Sequence, residues 1–130
     1  MDPELMKMLI SSEYENCILV DDTNVPKFDE DAVAYGHEGT LDKLVWYPPY
    51  PPNPLGEALT IFKTSKEASH ALAVILEDFL LEEGPAKREM VDAFNRLMRS
   101  FDFHYISTEG REWTEIDFEA DLEMARRLTF

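Results

Sequence analysis

Gly56-Glu57-Ala58-Leu59-Thr60-Ile61-Phe62-Lys63-Thr64-Ser65-Lys66-Glu67 holds the transition on which the fold class turns. Residues 57–63 read as a strand, because apolar and β-branched side chains dominate. Thr64-Ser65-Lys66-Glu67 then matches a capping box, with Thr64 as the cap and Glu67 reaching back. Behind it, Ala68, Ala71, Leu72, Ile75 and Phe79 recur at helical spacing, and Gly84-Pro85 stops the run. A strand feeding straight into a capped amphipathic helix is a unit of layered α/β domains.

Towards the N-terminus, Asp2-Pro3-Glu4 carries the signals of a helix start: a capping acid, a proline suited to the first position, and a carboxylate at the positive helix end. Leu5, Met8 and Leu9 then share one face. Cys17-Ile18-Leu19-Val20, closed by Asp21-Asp22, reads as a buried strand. After a polar loop, residues 32–35 and 41–47 pair as a hairpin across Gly36-His37-Glu38-Gly39. The proline run 48–54 can be neither helix nor central strand, so it is a stiff surface excursion.

Towards the C-terminus, residues 87–99 predict a helix that buries Met90, Phe94, Leu97 and Met98. Residues 101–106 alternate as a strand, and Gly110 turns the chain towards a short β-like run from Trp113. A last helix buries Leu122, Ala125 and Leu128. The order predicts one α/β domain over residues 1–130, layered on a mixed sheet.

Twenty-seven acidic residues against twelve basic ones give a net charge of −15. That excludes binding nucleic acid by the usual neutralisation of phosphates. It fits a divalent cation, a basic partner, or a solvated acidic surface. Arg88, Arg96, Arg99, Arg126 and Arg127 suit helix C-terminal halves rather than a nucleic-acid patch. No apolar run has the ~20 residues of a membrane span, and no signal peptide opens the chain. The single cysteine, Cys17, lies in an apolar run, and a cytoplasmic location is expected.

One further segment is informative: Trp113-Thr114-Glu115-Ile116-Asp117, leading into Asp121-Leu122-Glu123. Together with Pro3-Glu4-Leu5, the strand Ile18-Leu19-Val20-Asp21 and Gly56-Glu57-Ala58-Leu59-Thr60-Ile61-Phe62, it resembles the C-terminal half of a nucleotidyltransferase. The family is that of the phosphocholine and sugar-phosphate nucleotidyltransferases. The resemblance implies a Rossmann-like layered fold. It also implies the substrate-side part of an enzyme that joins a nucleoside triphosphate to a small phosphorylated molecule and releases pyrophosphate. Asp117, with Glu115 on the same strand face, would hold Mg²⁺ in a complete assembly. Glu57 and Trp113 would meet the substrate. The family's Gly-rich nucleotide loop and first metal Asp are missing, and Lys87-Arg88-Glu89 replaces an aromatic-acid pair. The chain is then a fragment, a split subunit or a repurposed remnant, with no catalytic residue of its own. Its expected partner is a complementary N-terminal half, or a second copy joined through exposed strand edges.

Residue by residue, other readings stand beside these. Asp117 also suits the cap of the last helix, and Asp121 and Glu123 its first turn. Trp46, Tyr47 and Tyr50 with Trp113 form either a cage for a quaternary ammonium or core cover. His37, His70 and His104 have no metal-ligand spacing, and Cys17 reads as core. The alternative function, from a different class, is a small acidic interaction or inhibitor protein that binds a basic partner.

Overall fold

A computed structural model describes residues 2–23, 32–46, 50–82, 90–113 and 126. Helix α1 (Pro3–Ser11) starts where the sequence predicts: the Asp2 carboxylate accepts from the Glu4 N–H at 2.9 Å. Five strands follow, β1 (Cys17–Asp21), β2 (Val33–His37), β3 (Thr40–Val45), β4 (Gly56–Lys63) and β5 (Phe103–Ser107). Between the last two lie α2 (Lys66–Leu81) and α3 (Met90–Leu97).

The expected layered, Rossmann-like α/β sheet is not what forms. The strands close into a small mixed barrel in the order β1-β4-β2-β3-β5. β5 decides this, because it pairs parallel to β1 and antiparallel to β3. A layered domain needs an open sheet with helices stacked on its faces; here the last strand fills the gap between the first and the third. Closure pairs every strand on both sides along part of its length. Among the described strands none therefore has one edge open along its whole length, unlike the outer strands of an open sheet.

Two glycines permit the tight curvature. A Cβ on Gly36 would lie 2.1 Å from the Thr40 carbonyl oxygen, where the β2–β3 register shifts. One on Gly56 would lie 2.0 Å from the Asp21 carbonyl oxygen, beside the short seam formed by Ala34 and Gly56. Glycine at a bulge or barrel corner is the usual solution to so close an approach of two backbones.

Two cores result. Ile18, Val20, Ala34, Leu41, Ala58 and Phe103 come from all five strands and so fill the barrel, closed over by Leu72, Phe94 and Leu97 of α2 and α3. Phe62 and Phe103 each meet Phe94 edge to face. Leu5 and Leu9 of α1 cover the outer face with Cys17, Leu19 and Leu59. Strand and helix periodicity is thus as read, with local corrections. Ser65, not Thr64, caps α2 and accepts from the Ala68 N–H at 3.1 Å. The hairpin turns on Glu38 and Gly39 alone, because Gly36 and His37 extend β2. Met90 is exposed rather than buried. The β-like run expected after Trp113 and, apart from the helical Arg126, the last helix lie outside the described residues, as does Gly84-Pro85.

Candidate functional site

β1 and β5 run parallel, so their ends lie side by side and give the barrel two comparable rims. The C-terminal rim is where the sequence places its ligand. There Asp21 is 3 % exposed, yet both carboxylate oxygens have donors. Oδ1 accepts from the Thr23 N–H at 3.0 Å and from the Thr23 hydroxyl at 2.6 Å. Oδ2 accepts from the Trp113 indole N–H at 2.7 Å. A buried carboxyl group is tolerated only where its oxygens are hydrogen-bonded, and these donors do that. Around it, Ser107 donates to Asp22 at 2.7 Å, and Arg111 reaches Asp2 at 3.4 Å.

Of the expected site residues, Glu57 and Trp113 do come to this rim, on either side of Asp21. Glu57 is the cross-strand partner of Asp21, and Trp113 is held by the indole bond. The arrangement is a latch: it ties the segment after β5 to the end of β1 and to the α1 core, in which Trp113 packs. N–H and O–H donors facing the Asp21 oxygens oppose a cation there. Among the described residues no three His, Cys, Asp or Glu are grouped to hold a metal ion. Glu115 and Asp117 lie outside the described residues.

The other candidates separate too. Trp46 packs against the barrel core and Trp113 against the α1 core, so they do not build one aromatic cage. The Tyr50 hydroxyl donates to the Trp46 carbonyl at 3.1 Å, and Tyr47 lies outside the described residues. His37 pairs with Asp42 at 3.0 Å, and among the described residues it belongs to no group of three that could hold a metal. The Cys17 thiol is fully buried, and that burial pushes its pKa up, which suits a core residue and not a nucleophile.

The N-terminal rim holds the groove that sequence reasoning missed. It is a solvent-open depression of about 390 Å³, formed where the chain enters β1 and β5. Glu13, Glu15 and Asp102 line it, all exposed, around Tyr14 and His104. The Tyr14 and His104 rings stack face to face, with centroids 3.9 Å apart and planes 6° from parallel. The walls are pinned from below. The Asn16 carbonyl accepts from the His104 N–H at 3.0 Å, and its side chain accepts from the Ser65 N–H at 2.8 Å. Lys63 donates to the Ser12 carbonyl at 2.7 Å and closes the end of α1 beneath. Among the described residues that line the groove there is no lysine or arginine. An aromatic floor with carboxylates around it attracts a cationic side chain, through ring quadrupole and charge together.

No family model and no curated protein matches this chain. No helix among the described residues is long and apolar enough to cross a membrane.

Proposed function

We propose that this protein is an acidic binding protein that engages a basic protein partner and seats a lysine or arginine of that partner in the Tyr14–His104 groove. The observation that carries the reading is the groove itself: Glu13, Glu15 and Asp102 line it around a stacked aromatic pair, and no Lys or Arg is among its described lining residues. The net charge of −15 adds long-range attraction that speeds encounter with a cationic surface. The groove supplies local geometry that would distinguish one cationic segment from another. Occluding a basic site in this way is inhibitor chemistry, and it needs no cofactor. One buried free thiol fits a reducing, cytoplasmic setting for the interaction.

The test separates a site from diffuse charge. Glu13→Gln/Glu15→Gln/Asp102→Asn removes three charges at the groove. Glu4→Gln/Glu109→Gln/Glu112→Gln removes the same number at the far rim, where Asp2 bonds to the Glu112 carbonyl. Affinity for a fluorescent arginine-rich peptide is measured by anisotropy at fixed salt. The groove variant should lose tenfold or more and the far-rim variant less than threefold. Equal losses from both would mean that the acidic surface acts as a whole and the groove has no special part.

A further inference from the structure

The floor of the groove contains a ring that can carry charge. Histidine changes charge in the mildly acidic range, where other side chains ordinarily do not. Of the three histidines, His37 pairs with Asp42 and His70 lies exposed on α2, whereas His104 lines the groove. His104 is held there from several sides. Its backbone N–H donates to the Asn16 carbonyl at 3.0 Å, and it stands in register between Cys17 of β1 and Thr40 of β3. Its ring lies against Tyr14 with centroids 3.9 Å apart. The Tyr14 hydroxyl in turn rests beside the β2–β3 turn, 3.9 Å from where a Cβ on Gly39 would stand.

The charged groups about this ring are mostly carboxylates. Glu13 and Glu15 flank Tyr14, and Asp102 stands just before β5. Glu38 lies at the hairpin turn, with the His37–Asp42 pair behind it. β1 presents the Cys17 thiol, which burial keeps neutral. Lys63 of β4 is the cross-strand partner of Cys17, but its ammonium donates to the Ser12 carbonyl at 2.7 Å and the Ile10 carbonyl at 3.5 Å. Arg99 is exposed and precedes the lining residue Ser100. Carboxylates on the lining attract a proton on His104 and a cationic side chain of the partner alike, so the two compete for the same field.

We propose that His104 is a proton switch for the groove: as a neutral imidazole it forms part of the aromatic floor that takes the partner's cationic side chain, and as an imidazolium it expels that side chain. Two effects act in one direction. Protonation removes an electron-rich ring face from the floor, and it places a like charge beside the incoming cation. Two positive charges ~5 Å apart weaken binding about fourfold even at the dielectric of water, and by more where protein displaces water. Binding and protonation therefore oppose each other, and release follows a fall in pH. The inference rests on the reading that the groove takes a cation, and adds the condition under which it lets go.

The experiment uses the whole chain and a labelled arginine-rich peptide with blocked termini, whose charge is constant over the range. Affinity is measured by anisotropy at constant low salt at about pH 8 and about pH 5.5, on either side of ordinary histidine titration. The wild type should bind at least fourfold more weakly at the lower pH. His104→Phe keeps a ring on Tyr14 and takes no proton, and His104→Gln is a second neutral variant; each should change less than twofold between the two pH values. His70→Gln, on α2, should respond as the wild type does. A smaller fall in the wild type, or a fall in either His104 variant equal to the wild type's, overturns the switch while leaving the basic-partner reading standing. Loss of the response in His70→Gln would assign the proton to α2 and also overturn it. Failure of the wild type to bind the peptide at the higher pH overturns both readings.

Discussion

Trp113→Phe tests the latch that closes the C-terminal rim. The substitution keeps most of the ring's packing against the α1 core and deletes one donor, the indole N–H held 2.7 Å from Asp21 Oδ2. A hydrogen bond to an ionised group contributes about 1.5–3 kcal/mol, and loss of a single donor from a buried carboxylate sits within that range. Trp113 is half-buried, which favours the lower part, about 2 kcal/mol. At ~2.1 cal/mol/K per residue of unfolding entropy, that is a fall in Tm of about 7 °C for a chain of this size. Urea unfolding followed by far-ultraviolet circular dichroism measures it without depending on the deleted fluorophore. The cost should shrink when Trp113→Phe is made in an Asp21→Asn background, because the carboxylate charge is then already gone. A change below about 0.5 kcal/mol, or the same cost in both backgrounds, would refute the latch.

Other perturbations have definite signs. Gly56→Ala drives a methyl group to within 2.0 Å of the Asp21 carbonyl oxygen, so it should destabilise by about 3 kcal/mol in the same urea assay. Thr108→Val replaces a fully buried hydroxyl that has no hydrogen-bond partner, and should raise stability by about 1 kcal/mol; a loss would mean that the hydroxyl is satisfied in solution. The Asp2 carboxyl is held below its ordinary value of 3.8, chiefly by the Glu4 backbone N–H and further by Arg111. A lowered folded pKa contributes stability that is present above pH 3.8 and lost as pH falls through the folded value. Amide exchange in α1 should therefore accelerate in that acidic window, and Asp2→Asn, which still caps, should flatten the response. An unchanged pH profile in that variant would count against the assignment.

The elements were legible in the sequence because their signals are local. Asp2-Pro3-Glu4 and the period of residues 68–79 need only their neighbours to be read, and α1 and α2 follow. The closed barrel depends on which distant strands meet. Nothing near residue 104 says that His104 pairs with Thr40 on one side and Cys17 on the other. The same distance hid the groove. Glu13-Tyr14-Glu15 and Asp102-Phe103-His104 each set acid beside ring side chains, but only the parallel β1–β5 pairing brings Tyr14 onto His104. The sequence points to Glu57 and Trp113 for a substrate; they lie beside Asp21, one as its cross-strand partner and one as a donor to its carboxyl group, a hydrogen bond that no local pattern announces.

Titration of ¹⁵N-labelled protein with an unlabelled arginine-rich peptide, followed residue by residue in amide spectra, tests the groove most directly. The largest shift changes are expected in residues 13–16 and 100–104, with saturation at one common affinity and loss of the response in Glu13→Gln/Glu15→Gln/Asp102→Asn. Changes spread evenly over the acidic surface, or centred on Asp21 and Trp113 at the opposite rim, would contradict it.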